Sequence, residues 1–132
     1  MNTILHVEAN QDVQDIVRLS FSFTEAFEII QFKISYEVIR RAADIFPDII
    51  LLGMRMPDMT GLEILAELRK YPHLSTTPAI FMTADANASH VKRLIKEGAC
   101  NVVVKPFDPM ALEDRITKAL TENGRKSVNI GV

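Results

Sequence analysis

Five short apolar runs punctuate the chain: Thr3 to Val7, Phe27 to Phe32, Ile49 to Leu52, Ala79 to Met82 and Asn101 to Val104. Each is too short for a buried helix, and each is almost continuously hydrophobic, with little alternation between apolar and polar residues. Strands covered on both faces require that pattern, and it is characteristic of parallel sheets. Between the runs the apolar residues recur at helical spacing. Val13, Ile16, Val17, Ser20 and Phe21 form one stripe, followed by Val38, Ile39, Ala42 and Ile45, then Leu62, Leu65 and Leu68. Val91, Leu94 and Ile95 make a fourth stripe, stopped by Gly98, and Leu112, Ile116 and Leu120 a fifth. The fifth helix also carries start signals in Asp108 as N-cap and Pro109 at the first helical position.

Strands alternating with helices predict an α/β fold, a flavodoxin-like doubly wound (βα)5 unit with a five-stranded parallel sheet of order 2-1-3-4-5 and helices on both faces. In such a sheet the functional crevice lies beyond the carboxyl ends of the strands, where the winding reverses between strands one and three. The residues just past strands one, three, four and five are Glu8-Ala9, Gly53, Thr83-Ala84 and Lys105-Pro106. Topology alone therefore brings these four places to one crevice.

A chain of 132 residues suits one domain. We assign residues 1–123 to it and read 124–132 as a C-terminal tail, too short for an output module. Fifteen basic and seventeen acidic residues give a net charge of -2, without the one-sided basicity that phosphate-backbone binding needs, so no nucleic acid is expected. No apolar stretch approaches a membrane span and the start lacks the features of a secretory signal, so a cytoplasmic protein without membrane contact is expected. The single Cys100 agrees with a reducing compartment and is expected to pack as a small buried side chain. His6, His73 and His90 have no partner at ligand or catalytic spacing and read as incidental, and Met54, Met56, Met59 and Met110 read as packing residues.

The segment Pro47-Asp48-Ile49-Ile50-Leu51-Leu52-Gly53-Met54-Arg55-Met56-Pro57-Asp58-Met59-Thr60-Gly61 resembles the phosphoacceptor strand and loop of response-regulator receiver domains of two-component signalling, and Val104-Lys105-Pro106-Phe107 resembles their lysine-proline motif. The likeness extends over residues 3 to 121. It implies that Gly53 stands at the position of the phosphorylated aspartate, which it cannot replace. It aligns Glu8 and Ala9 with the paired acids of the first strand, so that Ala9 replaces a direct magnesium ligand. Thr83 corresponds to the switch hydroxyl, Val102 to the switch aromatic, and Lys105, before a commonly cis Pro106, to the lysine that neutralises the phosphoryl group.

A complete site of this kind carries three carboxylates and one lysine, and the surplus negative charge is what calls for a divalent cation. Glu8 and Lys105 alone sum to zero. No functional magnesium site, no other metal and no cofactor are therefore expected, and no acyl phosphate can form at Gly53. Asp48 begins the same strand at its far end, and Asp58 and Asp85 are remote alternatives as acceptors. Arg55 is a candidate metal substitute that could pair with Glu8, or could attract a free anion together with Lys105 and Thr83.

The resemblance thus implies a stand-alone atypical receiver, not an enzyme, acting as a phosphorylation-independent protein-interaction module. Its expected partners are a histidine kinase, another response regulator or an output protein, with a homodimer through the face of helix four, strand five and helix five as one arrangement. His90, Lys92, Arg93, Lys96, Glu97, Arg115 and Lys118 would supply charge there. The alternatives are a conventional phosphoryl-accepting receiver silenced by substitution, and a sensor of an anion or small ligand in the vacated crevice.

Overall fold

Side chains of successive strand residues point to opposite faces, and here both faces are covered, which is why the run Ile49 to Leu52 carries no polar side chain. A computed structural model describes residues 2–130, with side chains through Glu122. The elements are β1 (Asn2–Val7), α1 (Gln11–Ser20), β2 (Phe27–Phe32), α2 (Ser35–Arg41), β3 (Ile49–Gly53), α3 (Gly61–Leu68), β4 (Ala79–Thr83), α4 (Ala88–Lys96), β5 (Asn101–Val104) and α5 (Pro109–Ile130). All strand pairs are parallel and the order is β2-β1-β3-β4-β5, the doubly wound arrangement expected.

The core divides into two layers by strand parity. Leu5, Val7, Ile50, Leu52, Phe81 and Val102 meet Val38 of α2, Ile64, Leu65 and Leu68 of α3 and Leu94 of α4. Ile4, Ile49, Leu51, Ile80, Met82 and Val103 meet Val17 of α1 and Leu112 and Ile116 of α5. Burying such a side chain stabilises by about 1.5–3 kcal/mol, so both layers favour one register. Val7 pairs with Leu52, Gly53 with Met82 and Thr83 with Val104. The four strand ends consequently finish along a single edge.

Local signals fix the helix ends. Thr60 and Glu63 make a reciprocal capping box at α3, with each side chain accepting from the other residue's backbone N–H. After α4 the Gly98 N–H donates to the Ile95 carbonyl and the Ala99 N–H to the Leu94 carbonyl, a Schellman closure. It needs the positive φ of 119° that glycine adopts without strain. Gly61 is required for another reason, since a Cβ there would stand 2.6 Å from the Gly53 carbonyl oxygen.

Several sequence expectations are corrected. The α1 stripe is rotated: Gln14 is buried and Ile16 is exposed, because the Gln14 amide turns inward to donate to the Glu8 carbonyl at 2.9 Å. β2 lies at the sheet edge and is mostly half-buried, and Ile95 faces outward on α4, which buries only Leu94. Cys100 is exposed, because the buried Ala99 before it takes the inward position as the chain enters β5. Met110 is also exposed, in the first turn of α5 on the side away from Leu112 and Ile116. His73 has a structural task, its Nε2 lying 2.9 and 3.0 Å from the Ala42 and Ile45 carbonyls of the turn after α2. α5 is continuous through Ile130, and residues 131–132 lie outside the described residues.

Candidate functional site

Glu8 follows the last residue of β1, where its N–H donates to the Phe32 carbonyl at 2.9 Å and holds the chain in the sheet for one residue more. Its side chain is 4% exposed and finds two donors. Lys105 Nζ donates to Oε1 at 2.8 Å, and the Asn10 backbone N–H donates to Oε2 at 3.1 Å. A carboxylate so buried persists only when its charge is met, and removing the lysine from such a pair would leave it uncompensated. Asn10 in turn caps α1, accepting from the Val13 N–H at 3.1 Å.

Gly53 ends β3 beside this carboxylate. A Cβ at residue 53 would stand 2.9 Å from Glu8 Oε1 and 3.2 Å from its carboxyl carbon. The Glu8 head therefore occupies the volume into which any side chain at 53 would begin to grow. Ala9, half-buried, packs against the core layer of α2 and α3. Sequence reasoning paired Glu8 with Lys105 through charge; that Glu8 also fills the space beside Gly53 follows only from the register of β1 on β3.

Beyond β4 and β5 a cleft of about 470 Å³ opens, with Met54, Met82 and Ala84 among its lining residues and Arg55, Thr83, His90 and Lys105 contributing polar atoms. Thr83 is buried at the end of β4, and its Oγ1 accepts from the Asp85 N–H at 3.1 Å and lies 3.2 Å from His90 Nε2. His90 Nδ1 lies 4.0 Å from Asp85 Oδ2, beyond hydrogen-bond reach. Lys105 reaches in from the loop after β5, and its bond to Pro106 is cis. Val102 is buried in the sheet opposite Phe81.

Two expectations about this cleft are overturned. Arg55 is exposed at its lip and makes no ion pair among the described residues, so it does not pair with Glu8, whose oxygens are already taken by Lys105 and Asn10. His90 is not incidental and does not present its charge on the outer face of α4; it turns back over the crevice to Thr83. Arg115 is likewise engaged, donating to the Val102 carbonyl at 3.0 Å. Asp48 sits at the far end of β3, accepting from the Thr3 N–H at 2.7 Å, and Asp58 is exposed in the loop before α3. Among the described residues no three His, Cys, Asp or Glu side chains converge as a metal-binding group.

His6 lies under α1, wholly buried. Its Nδ1 is 3.1 Å from the Gln31 amide nitrogen, while Nε2 has no partner among the described residues. Burial, reinforced by the charges of Lys105 and Arg18, lowers its pKa from 6.5 to about 3, so the ring is neutral in the folded chain.

A five-stranded parallel sheet of order 2-1-3-4-5, with a lysine before a cis proline facing a threonine and an acid at the strand ends, defines the receiver class of two-component signalling domains. The chain belongs to that family: residues 4–117 match the response regulator receiver domain. It is 33% identical over 120 residues to the regulatory protein AtoC of Escherichia coli, covering 91% of this chain and 25% of AtoC. It is 32% identical over 128 residues to the transcriptional regulatory protein YkoG of Bacillus subtilis, covering 97% of this chain and 55% of that protein. The chain thus spans a quarter of one relative and about half of the other. In fold it matches the chemotaxis response regulator CheY4 of Vibrio cholerae with a TM-score of 0.82 at 23% identity, covering 90% of this chain and 98% of that one.

Proposed function

We propose that this receiver works without phosphorylation, as a protein-interaction module of a two-component pathway in the cytoplasm. One observation carries the reading: the Glu8 carboxylate, bonded to Lys105, sits in the space beside Gly53 where an acceptor side chain would have to be. Glu8 thereby gives the lysine the counter-charge that an acceptor aspartate would give it, and the pocket is electrostatically complete without a phosphoryl group or a cation. Position 53 offers only main chain, which cannot act as the nucleophile of an acyl-phosphate-forming step. Ala9 and Val102 support the same reading, since the second acid and the aromatic switch are missing with the acceptor.

Without a covalent mark, any change of state must come from a partner that binds one conformation better than another. Candidate partners are a histidine kinase, another response regulator or an output domain. The candidate surfaces are the α4–β5–α5 face, which would also serve a homodimer, and the apolar groove of about 370 Å³ lined by Val13 and Ile16 of α1 with Pro106 and Phe107. No helix among the described residues is long and apolar enough to cross a membrane.

The test is restoration. Gly53→Asp alone should destabilise the chain, because its Cβ contacts Glu8 and its carboxylate adds a second negative charge there. Gly53→Asp with Ala9→Asp should gain magnesium binding, followed by tryptophan-free methods such as calorimetry, that the parent chain lacks. Equal magnesium affinity in parent and double variant would refute the assignment of these positions.

A further inference from the structure

His6 lies wholly buried on β1, where a parallel strand calls for an apolar side chain, and its neighbours decide which ring nitrogen carries the proton. A neutral imidazole has one acceptor nitrogen and one N–H. Gln31, the register partner of His6 on β2, places its side-chain nitrogen 3.1 Å from His6 Nδ1 and 3.0 Å from the Gln14 backbone carbonyl. Its side-chain oxygen accepts twice from Arg18, from Nε at 3.1 Å and from Nη2 at 2.9 Å. A guanidinium cannot accept and a carbonyl cannot donate, so the amide has one permitted orientation, with its oxygen on Arg18 and its nitrogen on Gln14 and the ring. Nδ1 is then the acceptor and the ring proton belongs to Nε2. That Nε2–H is buried and has no partner among the described residues, so Gln31 alone anchors the polar edge of the ring.

We infer that Arg18, Gln31, His6 and Gln14 form a conformational latch that seats α1 on the β1–β2 side of the sheet and carries the state of the exposed Arg18 contact inward to the main chain at Glu8. The hydrogen bonds are contiguous. Arg18 and Gln14 come from α1, Gln31 from β2 and His6 from β1, and the Gln14 side chain completes the run by donating to the Glu8 carbonyl at 2.9 Å. One amide thus joins three elements, and a network of this kind loosens as a unit when its central member is released. Arg18 is its solvent end: the residue is exposed, and among the described residues its guanidinium forms no ion pair, so the closing contact is made to a neutral oxygen. Val17 and Phe21 remain packed against Ile4 and Leu51 when that contact opens, which keeps the opening local to the latch. No atom of Gly53 takes part, so the latch stands or falls apart from the phosphorylation-independent reading.

Ring-nitrogen correlation spectra of the isotopically labelled full chain near neutral pH, together with amide hydrogen exchange, test the latch. The parent chain should show His6 protonated at Nε2 and bare at Nδ1. Arg18→Ala should speed exchange of the Gln31 side-chain N–H groups and of the Glu8 and Asn10 backbone N–H groups roughly tenfold or more, as loss of a charged hydrogen-bonding partner does, while leaving Leu65 and Leu68 of α3 unchanged. Arg18→Lys keeps one cationic donor for the Gln31 oxygen and should recover most of the protection. Lys33→Ala, which removes an exposed charge just past β2, should change none of it. A His6 ring protonated at Nδ1 would overturn the latch at its centre. Changes confined to residues 18 and 31, an equal effect of Lys33→Ala, or an Arg18→Lys chain no better protected than Arg18→Ala would overturn the coupling to Glu8.

Discussion

Helices α3 and α4 follow neighbouring strands and flank the same cleft, yet they are held by different physics. α3 opens with a complete capping box and buries Gly61, Ile64, Leu65 and Leu68 against the sheet. α4 buries Leu94 alone, leaves Ile95 about half exposed, and reaches the sheet at its start through the polar contact from His90 to Thr83. The first helix is anchored by several fully buried side chains, the second by one buried leucine, the half-buried Val91 and one hydrogen bond. An element that buries more apolar area opens locally at a higher free energy than one that buries less.

The contrast breaks most plainly with Leu68→Ala in α3. It should destabilise by about 2–5 kcal/mol, as fully buried leucines do, whereas Ile95→Ala in α4 should change stability by under about 0.5 kcal/mol. Urea unfolding of the two variants side by side measures the difference, and equal losses would erase the distinction drawn between the helices.

Acid supplies the next largest effect, because His6 shows on the α1 side what a polar group costs when its burial is complete. The unfolded ring takes up a proton below about pH 6.5, and the folded ring only below about 3. Between those values the unfolded chain binds more protons, so stability falls with falling pH by about 1.4 kcal/mol per unit. Other groups add their own slopes, so the specific readout is His6→Leu, which should flatten the unfolding profile between pH 6 and 4 relative to the parent. A profile of unchanged slope would mean that His6 is already charged in the fold.

The smallest effect sharpens the account of α4. His90→Ala removes one solvent-flanked hydrogen bond and should lower stability by about 1 kcal/mol or less. It should nevertheless raise amide exchange through the first turn of α4 while leaving α3 unchanged. Uniform exchange changes in both helices would show that the His90 contact does not hold α4 locally.

Most of the fold was legible because it depends on a pattern the chain cannot hide. A strand covered on both faces must be apolar throughout, as Ile49 to Leu52 is, and five such runs separated by helices permit few topologies. The crevice residues followed from that topology, and Glu8, Thr83 and Lys105 do come together at the strand ends. What stayed hidden were choices that polar side chains make only after folding. Gln14 turns inward because the Glu8 carbonyl is there to accept, and Arg55 stays outside because Lys105 reaches Glu8 first. His90 looked isolated in sequence because its partner is seven residues back, across a loop whose path local pattern does not specify. Cys100 was misjudged from residue type alone, where the position after Ala99 decided its exposure.

The central claim concerns position 53, and intact-mass spectrometry after incubation with acetyl phosphate and magnesium tests it most directly. An unchanged mass, in a chain whose Gly53→Asp, Ala9→Asp variant does gain a hydroxylamine-labile phosphoryl group, is the predicted result. A hydroxylamine-labile phosphoryl increment on the parent chain would contradict it.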